Sequence, residues 1–460
     1  MPTRFLRVAL AIAVSIGIAR EAFADRATVE KALGEMSAAA AAADPDAYLA
    51  HVSRSDPIFY KEQLNWAKDL KRKPPAKVAF SIGKAGGDGP EPQFGASKAS
   101  FEMVTRWTMP VDKGEAKARE LSFPVTFVLE EGKWLYAGED WLVLEGGRLD
   151  AQPADKPADA GDNAKPDDTS DEEPGARPRD PRFQGPPPGA DASGAAKAHS
   201  ELERMARVKY FSGYEEVAKR IVQVLPEVRE HVDEGFGAHI ARAQEVKIYP
   251  SMRHLQESIY LSYVDGLSGW NEPGEAIKII TRPNTSARAL RSLLAHEYGH
   301  VATFELGPKS NDIAWWALEG VAELAAERFV GNGSGRNAES LVIGWHTAKK
   351  LAAWDDLADF HKVQDSSPRD LQLKVYKQGQ HMLMFISDTF GRDARTLWLR
   401  EMSNGKSIEE ASVAAFKTPF AEVDARWRAA VAALAEKSAS EKSAKESAEK
   451  SDKEATKPKG

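Results

Sequence analysis

Residues 292–300 read Ser-Leu-Leu-Ala-His-Glu-Tyr-Gly-His, and this stretch decides how the second half of the chain folds. His296 and His300 are four residues apart, so one helix would project both imidazoles from the same face. Such a pair can bind one metal ion, and imidazole nitrogen suits Zn²⁺. Glu297 would then lie beside the metal rather than on it, where its carboxylate can serve as a catalytic base.

The flanking sequence predicts that this motif lies in the middle of a helix. Residues 284–286 supply polar side chains that can cap the N-terminus, and Gly307-Pro308 ends the helix. Apolar residues recur between these limits at helical spacing. They are Leu290, Leu293, Leu294, Val301 and Phe304.

A second helix is predicted from Ile313 to Val330, and it reads Trp-Ala-Leu-Glu-Gly-Val-Ala-Glu over 316–323. The connection to the first helix is short, so the two helices should be antiparallel neighbours. Glu319 can then face the two histidines as a third ligand, and Gly320 allows the backbones to approach. Three protein ligands with one open position are typical of a catalytic zinc site. Glu323, one turn further on, can accept a hydrogen bond from a ligating imidazole.

Together the two motifs resemble those of the gluzincins, the thermolysin-like zinc peptidases of the MA clan. The resemblance implies a mainly α zincin-like domain with a small sheet and one Zn²⁺. His296, His300 and Glu319 would be the metal ligands, Glu297 the catalytic base and Glu323 the acidic partner on the second helix. Later residues follow the family's order of helical landmarks: Val375-Tyr376, Gly379, Phe390-Gly391, residues 404–411 and Trp427.

The sequence also departs from two related groups. The G-x-M-E-N segment of thermolysin-related aminopeptidases is replaced by Gly-Trp-Asn-Glu-Pro at 269–273, which favours an endopeptidase over an aminopeptidase. The third histidine of the metzincins is missing too, because Leu306 stands six residues beyond the second histidine.

Three classes of function stay open from the sequence. The favoured class is a peptidase that acts on peptides or proteins outside the cytoplasm. The second is a zinc hydrolase of another amide or ester, and the third is a binding or assembly protein that keeps a zinc fold without turnover. The presence of Glu297 argues against the third class, because a purely structural zinc site has no need of a base.

Other residues near the motifs have competing interpretations. Residues 274–280 predict a strand that either edges a substrate cleft or is an ordinary edge strand. Tyr376 could donate to a developing oxyanion, although a buried tyrosine bonded to backbone is the commoner case. His381 lies among apolar residues and is interpreted as a core histidine. Trp315 and Trp316 belong either to the core or to the wall of the cleft.

The N-terminus has the pattern of a secretory signal peptide over residues 1–24. Arg4 and Arg7 precede an apolar run from Val8 to Ile18, and Ala22-Phe23-Ala24 is a small-residue cleavage site. The mature chain would begin at Asp25 and be periplasmic or secreted. The alternative is an uncleaved anchor. No later stretch reaches the ~18 apolar residues of a membrane span, so no stable membrane insertion is expected after cleavage.

Composition excludes several kinds of site. There are 0 cysteines, so disulfides, cysteine zinc ligands and a cysteine nucleophile are all excluded. The formal net charge is −7, which does not point to nucleic acid as a partner, because nucleic-acid binding usually requires a basic surface. The oligomeric state is left open by the sequence.

Two low-complexity segments divide the rest of the chain. Residues 151–198 are rich in Pro, Asp and Ala and predict a disordered linker, and residues 436–460 predict a disordered charged tail. The globular blocks would then be 25–150 and 199–435.

The first block predicts an α+β fold of three helices followed by an antiparallel sheet. Residues 44–49, Asp-Pro-Asp-Ala-Tyr-Leu, start a helix. Glu131-Gly132-Lys133 makes a hairpin turn into a strand expected over Trp134 to Leu144, so that residues 132–137 read Gly-Lys-Trp-Leu-Tyr-Ala. These segments resemble the nuclear transport factor 2-like (cystatin-like) fold, whose sheet is curved. Because that fold supports many functions, the resemblance predicts no chemistry for this block.

Overall fold

The computed structural model describes most of the chain from Arg26 onward. The described residues are 26–84, 91–111, 116–146, 183, 206–237, 243–261, 267–330, 337–366 and 369–455. The predicted signal peptide and nearly all of the predicted linker lie outside them. The chain divides into two compact units, Met1–Asp140 and Trp141–Gly460. The mixed α+β architecture predicted from the sequence is confirmed.

The first unit contains three helices and then an antiparallel sheet. The strand order is β1-β3-β4-β5, with β2 paired to β3. Asp44 and Asp56 cap the second and third helices by accepting hydrogen bonds from backbone N–H groups. A register shift between Thr126 and Phe127 marks a bulge, which curls the sheet. The elements are α1 (Arg26–Ala41), α2 (Pro45–Leu49), α3 (Pro57–Arg72), β1 (Lys77–Ile82), β2 (Gln93–Phe94), β3 (Lys98–Thr108), β4 (Arg119–Glu130) and β5 (Lys133–Glu139).

The strand expected over Trp134 to Leu144 is in fact two strands in different units. β5 ends at Glu139, and β6 (Leu142–Gly146) pairs antiparallel with β7 (Ala206–Tyr210) of the second unit. The ring of Trp141 lies 4.3 Å from that of Phe211, so an aromatic contact fixes the start of β6 in the second unit. The boundary expected at residue 150 therefore falls ten residues earlier, after Asp140.

The second unit is mainly helical and contains one five-stranded sheet. Three strands and two helices follow β7 before the helix that carries the metal-binding motif, and the later helices form the rest of the unit. The elements are α4 (Glu215–Phe236), β8 (Gln244–Tyr249), α5 (Met252–Ile259), β9 (Gly269–Trp270), β10 (Ile277–Ile280), α6 (Ala287–Phe304), α7 (Trp315–Ala326), α8 (Ala338–Thr347), α9 (Phe360–Ser366), α10 (Arg369–Phe390), α11 (Arg392–Ser403), α12 (Ile408–Phe416) and α13 (Phe420–Ala455).

The sheet of the second unit has the order β6-β7-β8-β10-β9. β7, β8 and β10 run parallel, and β9 is antiparallel to β10. The strand predicted within residues 274–280 is thus β10, but it is an inner strand. The edge strand on that side is β9, whose two residues are too few to give a periodic sequence signal. The apolar face of the sheet shares one core with α4 and α6.

Two segments that the sequence predicts to be disordered contain ordered residues: part of a helix in one and a buried side chain in the other. α13 continues to Ala455, well into the tail expected to be disordered from residue 436. The tail is rich in good helix formers, and Lys437 and Glu441 are one turn apart with 4.0 Å between Nζ and Oε1. In the predicted linker, Phe183 is buried at 1% exposure against the core of the second unit. No helix in the described part of the chain is long and apolar enough to cross a membrane.

Candidate metal centre

α6 and α7 place the motif residues as the sequence predicts. The side chain of Ser286 accepts a hydrogen bond from the backbone N–H of Ala289 and caps α6. α6 and α7 pack closely at Gly299, where an added Cβ would lie only 3.1 Å from Cα of Ala322. A short loop containing a 3₁₀ turn joins the two helices, so their facing sides carry the histidines and Glu319.

The three predicted ligands lie together in the structure. Nε2 of His296 is 3.2 Å from Oε2 of Glu319, and Nε2 of His300 is 3.4 Å from the same oxygen. One ligand atom from each residue lies within 4.8 Å of the others. His300 and Glu319 are buried, and the side chain of His296 is 15% exposed, so the site is closed on most sides.

The donor set fits a metal ion. Oε2 of Glu319 is buried and has no hydrogen-bond partner in the described structure, although two imidazole nitrogens lie close to it. A buried acceptor without a partner is costly, and a bound cation would satisfy it. Two imidazoles and one carboxylate are the ligand types of a catalytic zinc site. His296, His300 and Glu319 would hold such an ion.

The pKa shifts at the site have a common cause, which is the attraction between its carboxylates and positive charge. Burial opposes protonation of His296, but the carboxylates of Glu319 and Glu323 outweigh it and raise the pKa of the imidazole well above its ordinary value. Burial alone would raise the pKa of Glu319, but His300 and His296 hold it far below its usual range. The carboxylates of Glu319 and Glu323 therefore stabilise positive charge on His296.

Glu297 lies apart from the three ligands, against β9. Its backbone carbonyl accepts a hydrogen bond of 2.8 Å from Nδ2 of Asn271. A Cβ added at Gly269 would be 2.0 Å from its Oε1, so the carboxylate lies directly over the backbone of this glycine. Burial raises the pKa of Glu297, which makes it a stronger proton acceptor than an exposed glutamate.

Glu323 connects the histidines to α10. Its Oε1 lies 3.4 Å from Nδ1 of His296, and its other oxygen accepts a hydrogen bond from Nζ of Lys377. Lys377 also donates to Oε1 of Gln380 at 3.2 Å. Burial would raise the pKa of Glu323, but His296 and Lys377 lower it to about 2. The anionic Glu323 therefore orients the imidazole, as a carboxylate behind a metal-binding histidine does.

A series of aromatic rings in contact connects β9 to the histidines. The ring centroid of Phe360 lies 5.4 Å from that of Trp270 and 4.8 Å from that of Trp315. Tyr376 follows, with its ring 6.1 Å from Trp315 and 6.0 Å from His296. Burial and the nearby carboxylates, chiefly Glu319, raise the pKa of Tyr376 well above its ordinary value, so its hydroxyl stays protonated.

The remaining candidates divide between the site and the core. His381 is buried, and its Nδ1 accepts a hydrogen bond of 2.9 Å from Nε1 of Trp427, as expected of a core histidine. Trp316 packs in the core against Trp354 at 4.3 Å. Trp315 instead belongs to the site, because its Nε1 donates to Oε1 of Glu319 at 2.7 Å.

Sequence reasoning missed several residues that shape the site. Trp315 stands four residues before Glu319, and this helical spacing could have suggested the contact. Gly269 and Asn271 lie in the 269–273 segment compared with related peptidases above, but the sequence does not reveal their contacts with Glu297, nor that of Lys377 with Glu323.

Comparisons with known proteins give little further information. No protein-family model matches the chain, and no curated protein matches it. One solved structure with similarity is an M1 zinc metallopeptidase from Deinococcus radiodurans, crystallised as a mutant. It is 11% identical, has a TM-score of 0.29, and is matched over 77% of this chain and 69% of its own. A TM-score at this level is too low to establish a shared fold.

Proposed function

We propose that this chain is a zinc-dependent peptidase that hydrolyses peptide bonds. The observation that carries the proposal is the convergence of Nε2 of His296 and Nε2 of His300 on one buried carboxylate oxygen of Glu319, with the buried carboxylate of Glu297 against β9. When bound, Zn²⁺ would supply Lewis-acid polarisation of the scissile carbonyl.

The chain's own residues supply the proton transfers. Glu297 takes a proton from the attacking water and passes it to the nitrogen of the leaving amine. Its burial against β9 excludes bulk water and keeps the carboxylate basic. Tyr376, protonated and close to His296, can donate a hydrogen bond to the developing oxyanion.

β9 supports a peptide as the substrate. It is the edge strand of the sheet, and its residue Gly269 touches the carboxylate of Glu297. An extended peptide that pairs with such an edge brings its backbone carbonyls past the base. This geometry favours a peptidase over a zinc hydrolase of non-peptide amides or esters, and the presence of a buried base favours both over a non-catalytic binding protein. An internal peptide bond is the proposed target.

Replacement of Glu297 by Gln tests the assignment of the base. The change keeps the shape of the side chain but removes the proton acceptor, so turnover of a peptide substrate should fall roughly 10²-fold or more. Zinc content, measured by mass spectrometry, should not change. Glu305→Gln, at the exposed end of the same helix, is the matched control and should behave as the wild type.

Two outcomes would overturn the proposed function. Loss of zinc in Glu297→Gln would make Glu297 a ligand rather than a base. Digestion of a peptide library by the zinc-loaded wild type should give cleavage at internal bonds. Hydrolysis of small amides or esters with no peptide cleavage would replace the peptidase by the second class of enzyme.

Export is part of the proposal and rests on the N-terminal sequence. Cleavage after Ala24 would give a mature chain that begins at Asp25. Mass spectrometry of the protein from its native host should give a chain that begins at Asp25. A mass that retains residues 1–24 would favour the uncleaved anchor.

A further inference from the structure

The two carboxylate oxygens of Glu319 have different surroundings. Oε1 accepts a hydrogen bond of 2.7 Å from the indole N–H of Trp315, one turn earlier on α7. Oε2 has no hydrogen-bond partner in the described structure and faces Nε2 of His296 and of His300. One oxygen is thus engaged by the protein, and the other is available to a metal ion.

Contacts of both the backbone and the ring hold Trp315 in place. Its backbone N–H donates to the carbonyl of Ala358 at 2.7 Å. Its ring meets Phe360 edge to face, with centroids 4.8 Å apart and an interplanar angle of 85°. Tyr376 lies beyond, at 6.1 Å, and the residue is 6% exposed. The indole N–H is therefore a fixed donor that cannot easily turn toward another acceptor.

We propose that Trp315 is a positioning residue that makes Glu319 bind the metal through one oxygen, Oε2. An indole nitrogen donates but cannot accept, and its hydrogen bond fixes the direction of Oε1, so turning the carboxylate toward binding through both oxygens would strain this buried bond. The inference rests on the metal centre of the proposed function, and it adds a residue that no ligand motif contains.

One-oxygen binding by Glu319 has a consequence for metal selection. Two imidazoles and one carboxylate oxygen leave a position open in a tetrahedral site, which suits catalytic zinc. A carboxylate that offered both oxygens would fill that position and favour larger ions that take six to eight oxygen ligands, such as Ca²⁺. Trp315 therefore contributes to specificity for zinc as well as to ligand geometry.

Trp315→Phe tests the inference, with Trp354→Phe as the matched control. The control removes an equivalent hydrogen bond, in which Nε1 of Trp354 donates to Oδ1 of Asp424 over 2.7 Å. Neither residue belongs to the candidate metal centre. Zinc affinity, measured by competition with a chelator, should fall roughly 10- to 100-fold in Trp315→Phe, as for other partners behind a ligand. The visible absorption of the Co²⁺-loaded variant should weaken, because added oxygen ligation raises the coordination number. Trp354→Phe should match the wild type in both measurements.

A second measurement needs no variant. X-ray absorption at the zinc edge of the full-length wild type should count one carboxylate oxygen at about 2.0–2.2 Å, besides two imidazole nitrogens. Two carboxylate oxygens at that distance would overturn the inference, as would a Trp315→Phe protein that matches Trp354→Phe in affinity and spectrum.

These readouts separate the inference from the proposed function. They report metal binding, so they decide the role of Trp315 whether or not the chain cleaves peptides. A wild type that binds no zinc would overturn both the inference and the proposed function. A zinc-binding wild type with an unchanged Trp315→Phe variant would overturn this inference alone.

Discussion

Glu297, Glu319 and Glu323 share one side-chain chemistry, but their surroundings assign them different roles. Glu297 is buried against a glycine, Glu319 faces two imidazoles, and Glu323 is paired with an imidazole and an ammonium group. The direction of the pKa shift follows these neighbours: burial raises that of Glu297, and the nearby positive groups lower the other two.

This difference predicts a graded effect of two alanine substitutions. Glu319→Ala removes a proposed metal ligand, so zinc should be lost or bound far more weakly, and activity with it. Glu323→Ala removes only the carboxylate behind His296 and should cost about 10- to 100-fold in zinc affinity or activity. Metal content and peptide turnover would be measured together. Full zinc and activity in Glu319→Ala would contradict the assigned ligand set.

At the residue scale, the sequence was informative where chemistry depends on local spacing. The four-residue interval between the histidines and the position of Glu319 on the next helix were enough to predict that these three side chains lie together. Trp315 and Lys377 could not be assigned in the same way. Trp315 is one turn from Glu319 on the same helix, but the sequence does not show that the indole donates to the carboxylate, and Lys377 reaches Glu323 only through the packing of α10.

At the scale of elements, the contact between α7 and α10 determines where Glu319 lies. An added Cβ at Gly320 would be 2.6 Å from the backbone carbon of Gly379, and one at Gly379 would be 2.3 Å from the carbonyl oxygen of Trp316. The two helices therefore touch backbone to backbone, one residue beyond the proposed ligand. No side chain between them can give way.

Gly379→Ala should therefore disturb the metal centre from the outside. The added methyl group would force α10 away from α7, at a cost of about 1–3 kcal/mol in unfolding free energy, and zinc affinity should fall. Gly344→Ala is the matched control, because that glycine lies in α8 with nothing within 4 Å of an added Cβ. It should stabilise the protein by about 0.5–1 kcal/mol. Chemical denaturation and chelator competition would measure both effects, and equal stability of the two variants would argue against this contact.

Periodicity and capping signals predicted the two motif helices well, but they did not predict a two-residue strand or a helix in a polar segment. α6 begins at the expected cap and α7 lies inside the predicted range. β9, with two residues, and the extension of α13 into the charged tail were not predicted. A two-residue strand depends on its neighbour β10, and helix formation in a polar segment depends on small local terms that composition alone does not resolve.

At the scale of the whole molecule, the two units are joined in sequence by Asp140 and Trp141. The predicted linker follows β6, within the second unit rather than between the two. The nuclear transport factor 2-like resemblance of the first unit stays a prediction. The sequence could not reveal the assignment of β6, because only Glu139 and Asp140 interrupt the strand-like run and only pairing with β7 places β6 in the second unit.

Limited proteolysis should cut first between residues 153 and 198. Composition predicts that this stretch forms no packed core of its own, so its backbone should be accessible. Phe183 is buried, which predicts that the earliest cuts fall on either side of it rather than at it. Mass spectrometry of the first fragments would locate the sites. First cuts inside α7 would contradict the division of the chain described above.

Because β6 belongs to the second unit, a fragment that contains only this unit must include β6 to keep its sheet intact. A fragment that began at residue 199, as composition suggests, would contain β7 but not its partner β6. The N–H and C=O groups of β7 would then face solvent along one side, and such open strands recruit other chains. Poor solubility of that fragment would reflect a missing neighbour rather than an inherently unstable fold. A fragment that begins before Trp141 keeps the sheet complete.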